Sequence, residues 1–240
     1  MSLFNNQKKL LRNQFTYEML REQMVLRSMP LWVYAVAFFA PLIIISAAVM
    51  QPWVPVDTLF EDPLTVAQRS VNCCHFYYGA VSNLGVLVWW GTSAICLFSA
   101  MFLFNSQGPS EQFYFLCAAG LLTGLLTLDE LYLLHSNFMQ ALGVPKVIIY
   151  GLYSSLCFAL VLRFISLITD HDLIAYLIAG GLLALSVVID NPYWGGSPAT
   201  ILLEDAAKFC GISFWSAFHI SASISMCKAS STSPTRSSRT

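Results

Sequence analysis

Charge is the scarcest thing in this sequence. Asp, Glu, Lys and Arg make up 10% of its 240 residues, against about 25% in an ordinary soluble domain. That leaves no polar stretch of the roughly 100 residues an extramembrane domain needs, so a soluble catalytic domain, a nucleic-acid module and a secreted disulfide scaffold are all excluded. Nucleic acid is not a partner. Histidine is nearly as scarce, with four in the chain, and neither His-Glu-x-x-His nor Glu-x-x-His occurs, so the zinc-protease and di-iron bundle signatures are missing. The two halves share no motif, which removes the inverted-repeat pattern of many transporters.

What fills the space is apolar. Hydrophobic residues make up 57% of the chain and the mean hydropathy is +0.65, the composition of a membrane protein. A span needs about 20 mostly apolar residues, and six segments qualify: 31–50, 83–104, 113–134, 147–168, 173–189 and 202–226. The expected fold is all-α, a polytopic bundle of six transmembrane helices over residues 31–226. Gly108-Pro109, Pro145 and the Pro- and Gly-rich 191–198 punctuate the breaks. Lys8, Lys9, Arg12, Arg21 and Arg27 precede the first span, and Lys228, Arg236 and Arg239 follow the last. By the positive-inside rule both termini are expected to face the cytoplasm.

Leu11, Phe15 and Met19 recur every four residues in the leader, 1–30, with basic and acidic residues between them. The spacing reads either as an amphipathic helix on the inner leaflet or as a solvated lead-in. The tail, 227–240, is expected to be disordered, being Ser, Thr, Pro and Arg from Ser230 onward apart from its length.

Ionisable groups inside spans are costly and raise a functional hypothesis. The third span meets Asp129 and Glu130 about 25 Å from its cytoplasmic start, at 1.5 Å per residue, and His135 follows at the outer surface. The sixth span begins on that side with Glu204, Asp205 and Lys208. These charges share one depth, and Asp190 closes the fifth span at the same level. Glu204 and Lys208 stand four apart with the acid first, the favourable order for an intrahelical pair, and Lys208 is three from Asp205. Four acids against one Lys in a low-dielectric layer call for protons, a bound cation or outer water.

Two chemical readings follow. Asp129, Glu130, Glu204 and Lys208 are the candidate catalytic set, a carboxylate serving as acid or base with Lys208 as electrostatic partner. His135, Asp129, Glu130 and Asp205 are the candidate ligands for a divalent metal ion. On a straight helix Asp129 and Glu130 are about 100° apart and His135 about 140° beyond, so a site there requires the third helix to unwind near His135, or His75 to fold over the layer. His219, about 25 Å from the layer, reads as a packing residue.

Leu128-Asp129-Glu130-Leu131-Tyr132-Leu133-Leu134-His135 resembles the LDD-x-x-x-x-HE stretch of an uncharacterised family of small bacterial polytopic membrane proteins. Leu203-Glu204-Asp205-Ala206-Ala207-Lys208-Phe209-Cys210-Gly211-Ile212 resembles that family's LED-x-x-KF-x-GI stretch. The likeness covers the second half of the chain and departs at Ser136, where the pattern places an acid; it implies a polytopic bacterial membrane protein and supplies no activity. A fainter likeness, to alkaline-ceramidase-like membrane hydrolases, runs through Ser82-Asn83-Leu84, Leu128-Asp129-Glu130-Leu131 and Phe218-His219. Their zinc set is incomplete here, since position 223 is Ser and no Ser-x-x-x-His precedes Asp129.

The functional expectation is a multi-pass membrane protein whose outer charged layer is an ion-binding or membrane-embedded enzyme site. The alternative is a non-catalytic assembly protein in which the same charges latch two helices; proton-coupled transport is a third reading. The partners implied are the lipid bilayer and, in the assembly reading, another membrane protein.

Overall fold

The computed structural model describes residues 30–71, 73–190 and 197–232; the readings of the leader over 1–29 and of the tail over 233–240 lie outside the described residues. Among the described residues the chain is helical, with no strand. Four helices are long and apolar enough to cross a membrane: α1 (Leu31–Met50), α4 (Ala80–Gln107), α5 (Glu111–Tyr132) and α7 (Lys146–His171). Between α1 and α4 lie two short helices, α2 (Asp57–Phe60) and α3 (Pro63–Arg69). A π turn, Leu134–Phe138, and the single turn α6 (Met139–Ala141) follow α5. The chain closes with α8 (Leu173–Ile189) and α9 (Pro198–Thr232).

The sequence expects six spans, and the two remaining segments fall short for different reasons. α8 is apolar but only 17 residues long, about 25 Å at 1.5 Å per residue against a hydrocarbon core of about 30 Å. α9 is long, at 35 residues, but opens with Glu204, Asp205 and Lys208 and ends in Ser and Thr. It also runs past Met226 into the expected disordered tail, because no Pro or Gly interrupts the chain before Pro234.

The helix ends are written locally. α4 stops at Gly108, whose φ of 75° suits a residue without Cβ, and Ser110 caps α5 by accepting the Phe113 N–H at 3.2 Å. α7 starts after Pro145. Asp172 alone separates α7 from α8, and its carboxylate caps the Ala175 N–H at 3.2 Å.

α9 is the central post, packed against α8, α4 and α1, while α4 and α5 form a close hairpin. Small residues set these approaches: a Cβ on Gly120 would stand 2.8 Å from Leu97 Cγ, and one on Gly211 2.9 Å from Leu183 Cγ. Hydrogen bonds between helices reinforce them. Ser93 Oγ donates to the Gly120 carbonyl (2.8 Å), Thr92 Oγ1 to Ser216 Oγ (2.7 Å) and Trp215 Nε1 to Thr123 Oγ1 (3.0 Å). Outward faces stay apolar, with Phe158 and Leu162 of α7 more than 60% exposed, as suits a lipid environment.

Candidate functional site

The charged residues gather at one end of the bundle, formed by the C-terminal ends of α5 and α8, the N-terminal ends of α7 and α9, and the α2–α3 segment. α5 does not run to Leu134 as expected. Leu133 turns left-handed, with φ 51° and ψ 43°, and the chain re-coils as a π turn. This is the unwinding that a site at His135 requires.

It brings His135 back onto Asp129. The carboxylate, only 5% exposed, accepts the His135 backbone N–H at 2.9 Å through Oδ1, and its Oδ2 lies 2.6 Å from His135 Nδ1. Tyr153 of α7 donates its hydroxyl to Oδ1 at 2.8 Å. An imidazole whose Nδ1–H is held by a carboxylate keeps its Nε2 lone pair for acid–base work.

Glu130, one residue on and about 100° round the helix, points the other way, to α9. Its Oε1 lies 2.9 Å from Lys208 Nζ, which also stands 3.3 Å from Asp205 and 3.9 Å from Glu204. One ammonium thus answers three carboxylates on two helices. Asp190, at the end of α8, accepts the Tyr150 hydroxyl and pairs with Lys146, both from α7. The Tyr150 ring links this pair to the first unit, with its centroid 5.4 Å from that of His135.

Asp62 completes the layer from outside the long helices. Ser82 Oγ donates to it at 3.4 Å. Burial, and then the Glu130 carboxylate, push its carboxyl from 3.8 up to about 6, against the pull of Lys208 and His135. A raised folded-state value means that the stability this group contributes is full below about pH 4 and is lost as pH rises through about 6. Asp62→Asn is therefore expected to melt above the parent at pH 7, by on the order of 2–3 kcal/mol, and level with it at pH 4. Parallel melts at the two pH values check this; an equal shift at both would remove the titration argument. The other acids of this segment, Asp57 and Glu61, are held by Arg69 at 2.8 Å each.

The expected catalytic set is thus divided: Glu130, Glu204 and Lys208 meet, while Asp129 is committed to His135 and Tyr153. The expected metal set is divided along the same line, Asp129 with His135 and Glu130 with Asp205 on Lys208. Among the described residues no three or more His, Cys, Asp or Glu stand together as a group that could hold a metal ion. His75 stacks on Tyr77, ring centroids 5.1 Å apart. His219 sits fully buried about 16 Å along α9 from Lys208, its Nδ1 on the Trp215 carbonyl and its ring among Phe115, Tyr176, Trp215 and Phe218. The sequence reading missed Tyr150, Tyr153, Lys146, Asp62 and Ser82 as members of the layer. Two tyrosines in the first turns of a largely apolar α7 were the available signal.

Across the chain, the model of a domain of unknown function, DUF8692, matches residues 32–222. No curated protein and no solved structure matches the chain, so the likeness to alkaline-ceramidase-like hydrolases carries no further argument. With most of its length inside that one match, the chain belongs to the DUF8692 family.

Proposed function

We propose that this is a six-span membrane protein with both ends in the cytoplasm, and that its outer charged layer is an acid–base site that binds and releases protons. Charge balance carries the reading. Asp62, Asp129, Glu130, Asp190, Glu204 and Asp205 face Lys146, Lys208 and one histidine. Six carboxylates cannot all stay ionised opposite two ammonium groups in a part-buried, low-dielectric layer, so the layer holds protons or recruits cations. With no fitting set of metal ligands, protons are the economical answer. His135, oriented by Asp129, is the acid–base group, and Lys208 sets the field of the carboxylates around it.

The orientation rests on the sequence. Nine of the 12 basic residues, with five of the 13 acids, belong to the end where Pro30, His171 and Thr232 lie. Arg69, Lys146 and Lys208 are left with eight acids at the other. A cavity of about 10 Å³ beside Ser82, Asp205 and Lys208 has room for about one water. Lys208 also joins α5 to α9, which favours a second reading of the layer as a latch between helices.

Infrared difference spectra of the purified protein across pH 5 to 8 test the proposal. The native protein is expected to show protonated carboxyl bands at neutral pH, lost in part in Glu204→Gln, with proton uptake as pH falls. A fully ionised layer with no uptake in that range leaves only the latch. Labelling of single cysteines at residues 60 and 240 tests the topology, and their appearance on the same side overturns it.

A further inference from the structure

The loop between α3 and α4 carries sulfur chemistry that the charged layer does not use. Cys73 and Cys74 are joined in a disulfide between adjacent residues, while Cys96, Cys117, Cys157, Cys210 and Cys227, in the long helices, are free. Both members of the pair are exposed. Their surroundings leave them open, since Val71 before them is 99% exposed and Phe76 after them 100%. A structural disulfide stabilises a fold by closing a loop of the unfolded chain, more for a longer loop. A pair one residue apart closes none, so it restrains almost nothing beyond its own peptide unit. The loop is held in place by other means. Ser70 Oγ and the Tyr78 hydroxyl hydrogen-bond at 2.8 Å across it. Its far end is fixed where the Gly79 N–H donates to the Thr58 carbonyl at 2.9 Å and where a Cβ on Gly79, at φ 63°, would strike Pro63. Opening the sulfur bond therefore leaves both ends of the loop anchored.

We infer that Cys73 and Cys74 form a thiol–disulfide exchange site, opened by a dithiol that reaches this end of the bundle. Exposed disulfides are the labile ones, because a thiolate must approach a sulfur to attack it. One thiolate of the dithiol bonds to one of the two sulfurs, and the other cysteine leaves as a thiolate and takes up a proton. The second thiol of the reductant then attacks the mixed disulfide, closes its own disulfide and releases the second cysteine. Two electrons pass to the pair, the dithiol is oxidised to a disulfide, and its two protons end on Cys73 and Cys74. The adjacency selects a dithiol over a monothiol. The cysteine released first stays one residue from the mixed disulfide, at high effective concentration, and expels a monothiol before a second one arrives. A dithiol carries its own second nucleophile and wins that race.

The full chain, purified in detergent without reductant, is treated with dithiothreitol, and thiols are counted by mass after maleimide capture. The expected result is two new thiols per chain, released from the folded protein within about tenfold of the rate in denaturant. None should appear in the variant with both Cys73→Ser and Cys74→Ser, and that variant should melt with the parent. Glutathione at equal thiol concentration should leave the pair closed. Oxidised glutathione should stay attached at Cys73 in Cys74→Ser, which lacks the sulfur that would expel it. Release only after unfolding, or a double variant that melts clearly below the parent, makes the bond structural and overturns the inference. Equal opening by glutathione removes the dithiol as partner and overturns it too. So does a protein in which both cysteines are free before treatment and stay free in diamide.

Discussion

Lys208→Met is expected to lower stability in detergent by about 3–5 kcal/mol, the usual cost of removing one partner from a buried ion pair. Lys208 Nζ is the shared partner of Glu130 at 2.9 Å, Asp205 at 3.3 Å and Glu204 at 3.9 Å. Methionine keeps the length and removes the charge, so three carboxylates are left facing one another. Their pairing also fixes the second-site changes that rescue the variant. Glu130→Gln with Asp205→Asn should return most of the loss, because those acids touch the ammonium. Asp129→Asn should return none, because Asp129 bonds His135 and Tyr153 instead.

The same variant separates a proton-binding layer from a plain latch. If the carboxylates take up protons, the loss shrinks as pH falls from 8 to 5, since protonation removes the repulsion that Lys208 balanced. A latch of permanently ionised groups gives the same loss at both values. Denaturant titrations at each pH decide between them. A variant that unfolds like its parent throughout would mean that Lys208 holds nothing together.

The depth of the layer was legible from helix arithmetic alone. Counting 1.5 Å per residue from the two ends put Asp129, Glu130, Glu204, Asp205 and Lys208 at one level, and the four-residue and three-residue spacings foretold Lys208 beside its own helix's acids. Which acids turn toward which helix was not legible, because that depends on the rotation of α5 against α7 and α9. Tyr153 reaches Asp129 across 24 positions and Lys208 reaches Glu130 across 78; no periodicity encodes either contact. The break at Leu133 was hidden for a different reason. Leucine has no preference for left-handed backbone, so nothing in the sequence marks the turn, and it becomes intelligible only through the hydrogen bonds that it permits. No periodicity marks Asp62 either, which stands outside the long helices, and only the packing of α2 and α3 over the layer gives it neighbours.

Asp129→Asn is the sharpest test of the His135 unit, because it keeps the shape and reverses a hydrogen bond. The native carboxylate accepts from three donors, the His135 backbone N–H, its ring Nδ1 and the Tyr153 hydroxyl. Hydrogen bonds to a charged group are worth about 1.5–3 kcal/mol each. Asparagine can still accept through its oxygen, but its amide nitrogen can only donate. Set against Nδ1, it favours the tautomer with the proton on Nε2. The variant is therefore expected to lose about 2–3 kcal/mol and, independently of stability, to move the ring proton. Nitrogen-15 spectra of labelled histidine should place the proton on Nδ1 in the parent and on Nε2 in Asp129→Asn. Proton uptake by the layer should fall with that switch, since Nε2 no longer offers a lone pair to the site. Tyr153→Phe removes one donor without touching the ring, so it should lose about half as much stability and leave the tautomer unchanged. If Asp129→Asn destabilises the protein while the proton stays on Nδ1 and uptake is unaltered, Asp129 serves only to pin the π turn, and His135 has no acid–base part to play.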